Sequence, residues 1–159
     1  CSYLYNKLIK IMSEELNPMD KFDFLLGAWQ LKSEVPKSQF SERDSGEGKG
    51  EFRRILNDRY VTFDYQAEYS KSKGGAHAIF VWDNKNKNYK YWWYEDSGEF
   101  SQATCDFIDE KTLSLNWHNS LFVQTFQLKE NGNIELEMRY PKNKEEYDVV
   151  LKVLLTKVE

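Results

Sequence analysis

Phe22-Asp23-Phe24-Leu25-Leu26-Gly27-Ala28-Trp29 decides how the rest of the chain is read. Phe22, Leu25 and Leu26 recur at helical spacing and give one apolar side. Asn17-Pro18 upstream suits a helix start, with Pro in the first position. Gly27 suits a helix stop, because glycine takes the left-handed conformation without steric cost. Trp29 then opens a long series of strands. The segment therefore reads as a short helix that plugs whatever those strands enclose.

Working outward, Trp29 to Val35 is a strand that Pro36 closes, and residues 37–45 form a polar loop. In the run Gly46 to Leu56, glycines 46, 48 and 50 share one face with Phe52 and Arg54. That nearly bare face suits a tight bend or close approach by the plug helix. No Lys-Ser/Thr pair follows these glycines, so the run is not a phosphate loop. Further strands are expected at 59–69, 76–83, 89–94, 99–107, 112–118, 121–129, 134–140 and 147–158, from apolar alternation between turn residues. Asn131-Gly132 marks one of the hairpins.

About ten strands joined by short turns, with no helix between them, exclude parallel crossovers. A meander this long removes its open edges by closing on itself. The expected fold class is all-β: an antiparallel up-and-down β-barrel of about ten strands, with a short N-terminal helix capping one end. A flat sheet or sandwich is the alternative. Residues 1–18 read as a lead-in and 19–159 as a single barrel domain.

The pattern resembles the calycin-like, lipocalin-like barrels, in which a Gly-x-Trp follows a short helix, matched by Gly27-Ala28-Trp29. The longer match, Phe22 to Trp29, is similar to the Phe-x-Phe-Leu-x-Gly-x-Trp opening of a bacterial family of uncharacterised barrels. The alternating glycines and the Trp82-Asp83 hairpin fit its later spacing, and the resemblance runs from about Met19 to Lys157. It implies a ten-stranded barrel with an internal cavity and no particular activity. Related haem-binding barrels carry Gly-x-Trp-x-Gly-x-Gly. Here Gln30, Leu31, Lys32 and Ser33 follow Trp29, so no haem or other cofactor is expected.

The 159 residues suit one domain with a real core. Net charge is −4, from 22 basic and 26 acidic residues, which argues against a nucleic-acid partner. No apolar run approaches the roughly 20 residues of a membrane span. Cys1 admits two readings: a lipid-anchored terminus, or a fragment whose start is Met12. The half-apolar run Tyr3 to Ile11 is unlike a polar tether, so the second is preferred and a cytoplasmic location expected. Cys105 reads as a free, packed thiol.

Aromatic residues are 16% of the chain, and such side chains line pockets as well as cores. The candidate ligand-lining set is Trp29, Phe52, Arg54, Phe63 and Tyr65, with His77, Phe80, Trp82, Trp93 and Phe126. Arg54 needs a carboxylate or an anionic ligand if it is inside, or it packs over an aromatic such as Trp29. His77 shares the side of Ile79 and Val81, where it reads chiefly as a hydrogen-bonded wall residue. Two histidines with no Cys/His cluster make no zinc site. No paired acid and base stands at readable spacing, so no catalytic residue is assigned.

The function expected is non-catalytic binding of a small hydrophobic or amphipathic ligand. The alternatives are an enzyme on a small hydrophobic substrate, and a packed barrel that self-associates as a homodimer.

Overall fold

The computed structural model describes residues 2–15 and 17–159; Cys1, and with it the lipid-anchor reading, lies outside the described residues. Helix α1 spans Ser2–Glu15 and exposes Tyr3, Leu4 and Leu8. No described helix is long and apolar enough to cross a membrane. A 3₁₀ plug helix, Pro18–Leu25, follows.

The strands are β1 (Gly27–Val35), β2 (Asp44–Ile55), β3 (Tyr60–Tyr69), β4 (Lys73–Asp83) and β5 (Asn88–Glu95). The chain continues with β6 (Phe100–Asp109), β7 (Thr112–Trp117), β8 (Val123–Leu128), β9 (Ile134–Pro141) and β10 (Tyr147–Lys157). Each pairs antiparallel with the next, and β1 also pairs with β10, from Trp29↔Lys157 to Glu34↔Lys152. The meander is thus a closed ten-stranded barrel with no free edge, as its alternation predicts.

The plug is fixed from several sides. Asn17 caps it, its Oδ1 accepting from the Met19 amide at 3.0 Å. Met19, Phe22 and Leu25 turn into the barrel and are buried. Phe22 lies 4.8 Å from the Phe80 ring, 5.0 Å from Phe107 and 5.2 Å from Tyr89, measured between centroids. Each such apolar side chain contributes about 2 kcal/mol by leaving water. The Tyr89 hydroxyl donates to the Pro18 carbonyl at 2.7 Å, and Trp29 Nε1 to the Leu25 carbonyl at 2.7 Å. Gly27 then turns the chain into β1 at φ +117°, a conformation that a side chain would strain.

Arg54 closes the set. Its guanidinium meets Asp20 Oδ1 at 2.9 Å and Asp23 Oδ1 at 3.1 Å, so the wall of β2 clamps the outer side of the plug. This corrects the expectation that Arg54 lines a ligand site: its carboxylates come from the plug helix. The cation over the Trp29 ring is Lys157, at 4.6 Å, and not Arg54.

The β2 glycines also differ from expectation. They do face inward, but β3 approaches them, not the plug. A Cβ on Gly48 would stand 2.0 Å from the Gln66 carbonyl oxygen, so the two strands coil together more closely than any side chain allows.

Two outcomes follow from these contacts. Gly48→Ala should destabilise the protein by more than about 2 kcal/mol in urea unfolding, because backbone must move. Arg54→Ala should cost about 1 kcal/mol, since it removes a mostly buried cation from two carboxylates that are themselves about half exposed.

Candidate functional site

The inner wall changes character along the barrel axis. In the plug half it is dry: Phe52, Phe80, Leu113, Phe126, Ile134 and Leu155 are almost wholly buried. The rings of Phe52 and Phe63 stack there at 4.0 Å. Toward the other end, side chains that still point inward become partly exposed. These are Tyr65, Trp93, Trp117, Phe122, Met138 and Tyr140. Inward orientation combined with partial exposure describes a cup open at the mouth.

Strand pairing explains why the cup exists. Across β4 to β7 the inward rows alternate large and small residues. Ala78 sits opposite Trp93, and Ala103 lies between Tyr91 and Trp117. The small residues leave room into which neighbouring rings lean. Tyr65 and Trp93 are 5.3 Å apart, Trp93 and Trp117 6.1 Å, and Tyr91 and Trp117 5.6 Å. At the rim, Phe40 from the loop after β1 packs on Phe122 at 5.0 Å and on Tyr140 at 4.8 Å. The aromatic wall thus continues over the edge.

The deeper part of the cup carries polar groups. The Tyr91 hydroxyl and Trp117 Nε1 are both buried and have no hydrogen-bond partner among the described residues. Gln124, 4% exposed, brings an amide to the inner face two residues before Phe126. Burial pushes the Tyr91 phenol well above its ordinary value. Tyr65 is raised likewise by burial, and further by Tyr69, Glu95 and Asp96 near the rim. Both tyrosines therefore remain protonated donors at neutral pH. Cys105 is buried, and desolvation, aided by Asp106, pushes its thiol up, away from the reactive thiolate form.

Of the residues expected to line a ligand site, Tyr65 and Trp93 stand in the cup. Trp29, Phe52, Phe63, Phe80 and Phe126 belong to the packed core beneath it. Trp82 packs against Tyr89 at 4.7 Å near the plug, and Arg54 is held by the plug itself. His77 lies on the outer face, where its Nδ1 meets Asp64 Oδ1 at 2.6 Å, so it does not reach the lumen. This corrects the expectation that His77 lines the ligand site: it shares the outward side of β4 with Ile79 and Val81. His118 is exposed too, with Nε2 2.6 Å from the Thr104 hydroxyl. No group of three or more metal-ligating side chains converges among the described residues.

Sequence reasoning left out Tyr91, Trp117 and Phe40. For Tyr91 and Trp117 the signal was present in the alternation of β5 and β7. For Phe40 there was none, because it stands in an irregular polar loop.

A broad open pocket also runs along β2 to β4, and its lining mixes the outward Lys49, Glu51, Asp64, Gln66 and His77 with the inward Gly48, Gly50, Tyr65 and Ala76. It is wide, open to solvent and rich in charged side chains, shares Tyr65 with the cup, and lacks the enclosure a small-molecule site needs. The cup is the better candidate.

Buried tyrosine makes a pH prediction. In the unfolded chain Tyr91 loses its proton near 10.0, while in the barrel it keeps it. Unfolding then releases a proton above that pH, so stability is full below it and falls as pH rises. One such group lowers stability by about 1 kcal/mol between about pH 9.5 and 11. Tyr91→Phe should reduce that alkaline loss, measured as urea midpoints across the range. Tyr65, Tyr89 and Cys105 shift the same way and contribute to what remains.

Comparison with known proteins places the fold. Rv2717c from M. tuberculosis superposes with a TM-score of 0.61 at 8% identity, over 89% of this chain and 97% of its own. The S-type phycobiliprotein lyase CPES from Guillardia theta superposes at 0.52 with 7% identity, over 93% of this chain and 96% of its own. At such identities the likeness is one of fold, that of lipocalin-like barrels. No functionally curated protein matches the sequence. Residues 19–146 match the model described as "Protein of unknown function (DUF1579)", so the chain belongs to that family.

Proposed function

We propose that the barrel binds a small, largely apolar molecule in the aromatic cup at the end opposite the plug, and performs no chemistry on it. The observation that carries this reading is that Tyr65, Trp93 and Trp117 point inward yet keep part of their surface open to solvent. Large aromatic rings held this way supply apolar contact area at little entropic cost. The likeness to a phycobiliprotein lyase, whose name ties it to a pigment-carrying protein, agrees with a ligand-holding barrel but rests on fold alone.

A binder is favoured over an enzyme because the phenols facing the cup are held in their protonated form. The Asp64–His77 pair, which has the chemistry of a general base, points outward. Haem is disfavoured on the same geometry, since neither histidine faces the lumen.

A second reading rests on the outer face. Tyr94 and Phe100 oppose each other across β5 and β6, and both are exposed, at 47% and 74%. Such a pair suits self-association through this side of the barrel.

Native mass spectrometry of gently purified protein tests both. A mass increment lost on denaturation is the expected result and supports the occupied cup. A bare dimer mass, with no uptake of an added aromatic probe such as fluorene, overturns it in favour of self-association. Trp93→Ala, which removes a wall of the cup, should weaken retention of the bound species at least tenfold.

A further inference from the structure

The cup is not uniformly apolar. Tyr91, Ala103 and Trp117 lie on one cross-strand row, with the small Ala103 between the two large rings. The Tyr91 ring is fully buried, and its hydroxyl has no partner. The Trp117 indole N–H is likewise buried without one. An indole N–H only donates. A buried donor with no acceptor loses its water without replacement, at a cost that stable proteins seldom tolerate twice in one place. Two of them on neighbouring rings of one row, 5.6 Å apart between centroids, ask for an acceptor from outside the chain.

The surroundings narrow what that acceptor is. Glu95 and Asp96 act on Tyr65 at the rim, so the nearby field is negative. Arg54, on the inward face of β2, is committed to the plug carboxylates. Lys157, the other inward cation among the described residues, lies over Trp29 at the plug end, so a carboxylate or phosphate buried in the cup would find none to offset its desolvation. A cation would leave both donors unmet. A neutral oxygen acceptor on a flat ring system satisfies the donors and packs between the aromatic walls.

We propose that the ligand is a neutral, planar, conjugated molecule bearing a carbonyl oxygen, which accepts from Tyr91 Oη and Trp117 Nε1 deep in the cup. This rests on the cup being the binding site. Trp93 is the next inward side chain of β5 toward the mouth, 6.3 Å from the Tyr91 ring and 6.1 Å from that of Trp117. It stands between the donors and solvent, so it is the group that shifts to admit the oxygen.

Three probes of matched shape test the idea by equilibrium dialysis against the full chain: fluorene, 9-fluorenone and fluorene-9-carboxylate. Fluorenone should bind about tenfold more tightly than fluorene, with the carboxylate weakest. In Tyr91→Phe and in Trp117→Phe the fluorenone-to-fluorene ratio should fall toward one. The Tyr91 change keeps the ring and its packing, so the test stands even if the Trp117 variant folds poorly. Equal binding of fluorene and fluorenone by the wild-type chain overturns the carbonyl assignment and leaves the cup standing. So does a preference that survives both substitutions. Failure of all three probes to bind overturns the cup as well.

Discussion

The contact between Phe22 and the aromatic floor made by Phe80, Tyr89 and Phe107 is the one on which the rest of this barrel depends. Ten strands closed on themselves enclose more space than wall side chains readily fill. An unfilled interior would either collapse the wall or fill with water. The plug helix resolves this from one end by adding Met19, Phe22 and Leu25 to the core. Its place is over-determined: a capped start, a tyrosine bonding its first carbonyl, and an arginine gripping two of its carboxylates.

With one end stoppered, the barrel divides its labour along its length. The plug half supplies cohesion through dense packing, and the mouth half is free to be looser. The division is written in residue size. On β4 and β6 the inward residues nearest the mouth are small, among them Ala76, Ala78, Ser101 and Ala103. The bulky rings opposite them have neighbours on some sides only. The same partial packing that costs stability there is what leaves surface for a visitor to cover.

Much of this architecture was legible in the chain. Period-two alternation located all ten strands, and the lack of intervening helices forced an antiparallel closed meander. Alternation sorted the residues of each strand onto two faces, and it grouped His77 with Ile79 and Val81, yet His77 was expected to line the site, and the structure puts it on the outer face instead. Height along the axis was not legible. It depends on strand tilt and register, which come from pairings such as Trp29↔Gly50 and Gly50↔Tyr65 between distant segments. Hence Phe52, Phe63 and Phe126 looked equivalent to Tyr65 and Trp93, although the first three are core and the last two border the cup. Arg54 was ambiguous for a similar reason: its partners Asp20 and Asp23 sit on a helix whose position no strand pattern reveals.

Barrel closure has a consequence for how the protein is made. β1 emerges from the ribosome first among the strands, and one of its two partners, β10, emerges last. Until then β1 presents a full row of unpaired amides and carbonyls, with Leu31 and Ser33 facing an interior that does not yet exist. Pairs distant in sequence are slow to form, because a long loop must be ordered first. The nascent chain therefore carries an open, sticky strand until β10 has been made, and only that strand can shield it. On its outward side that segment runs Lys152, Leu154, Thr156, so the strand that completes the barrel also brings a partly polar face to water.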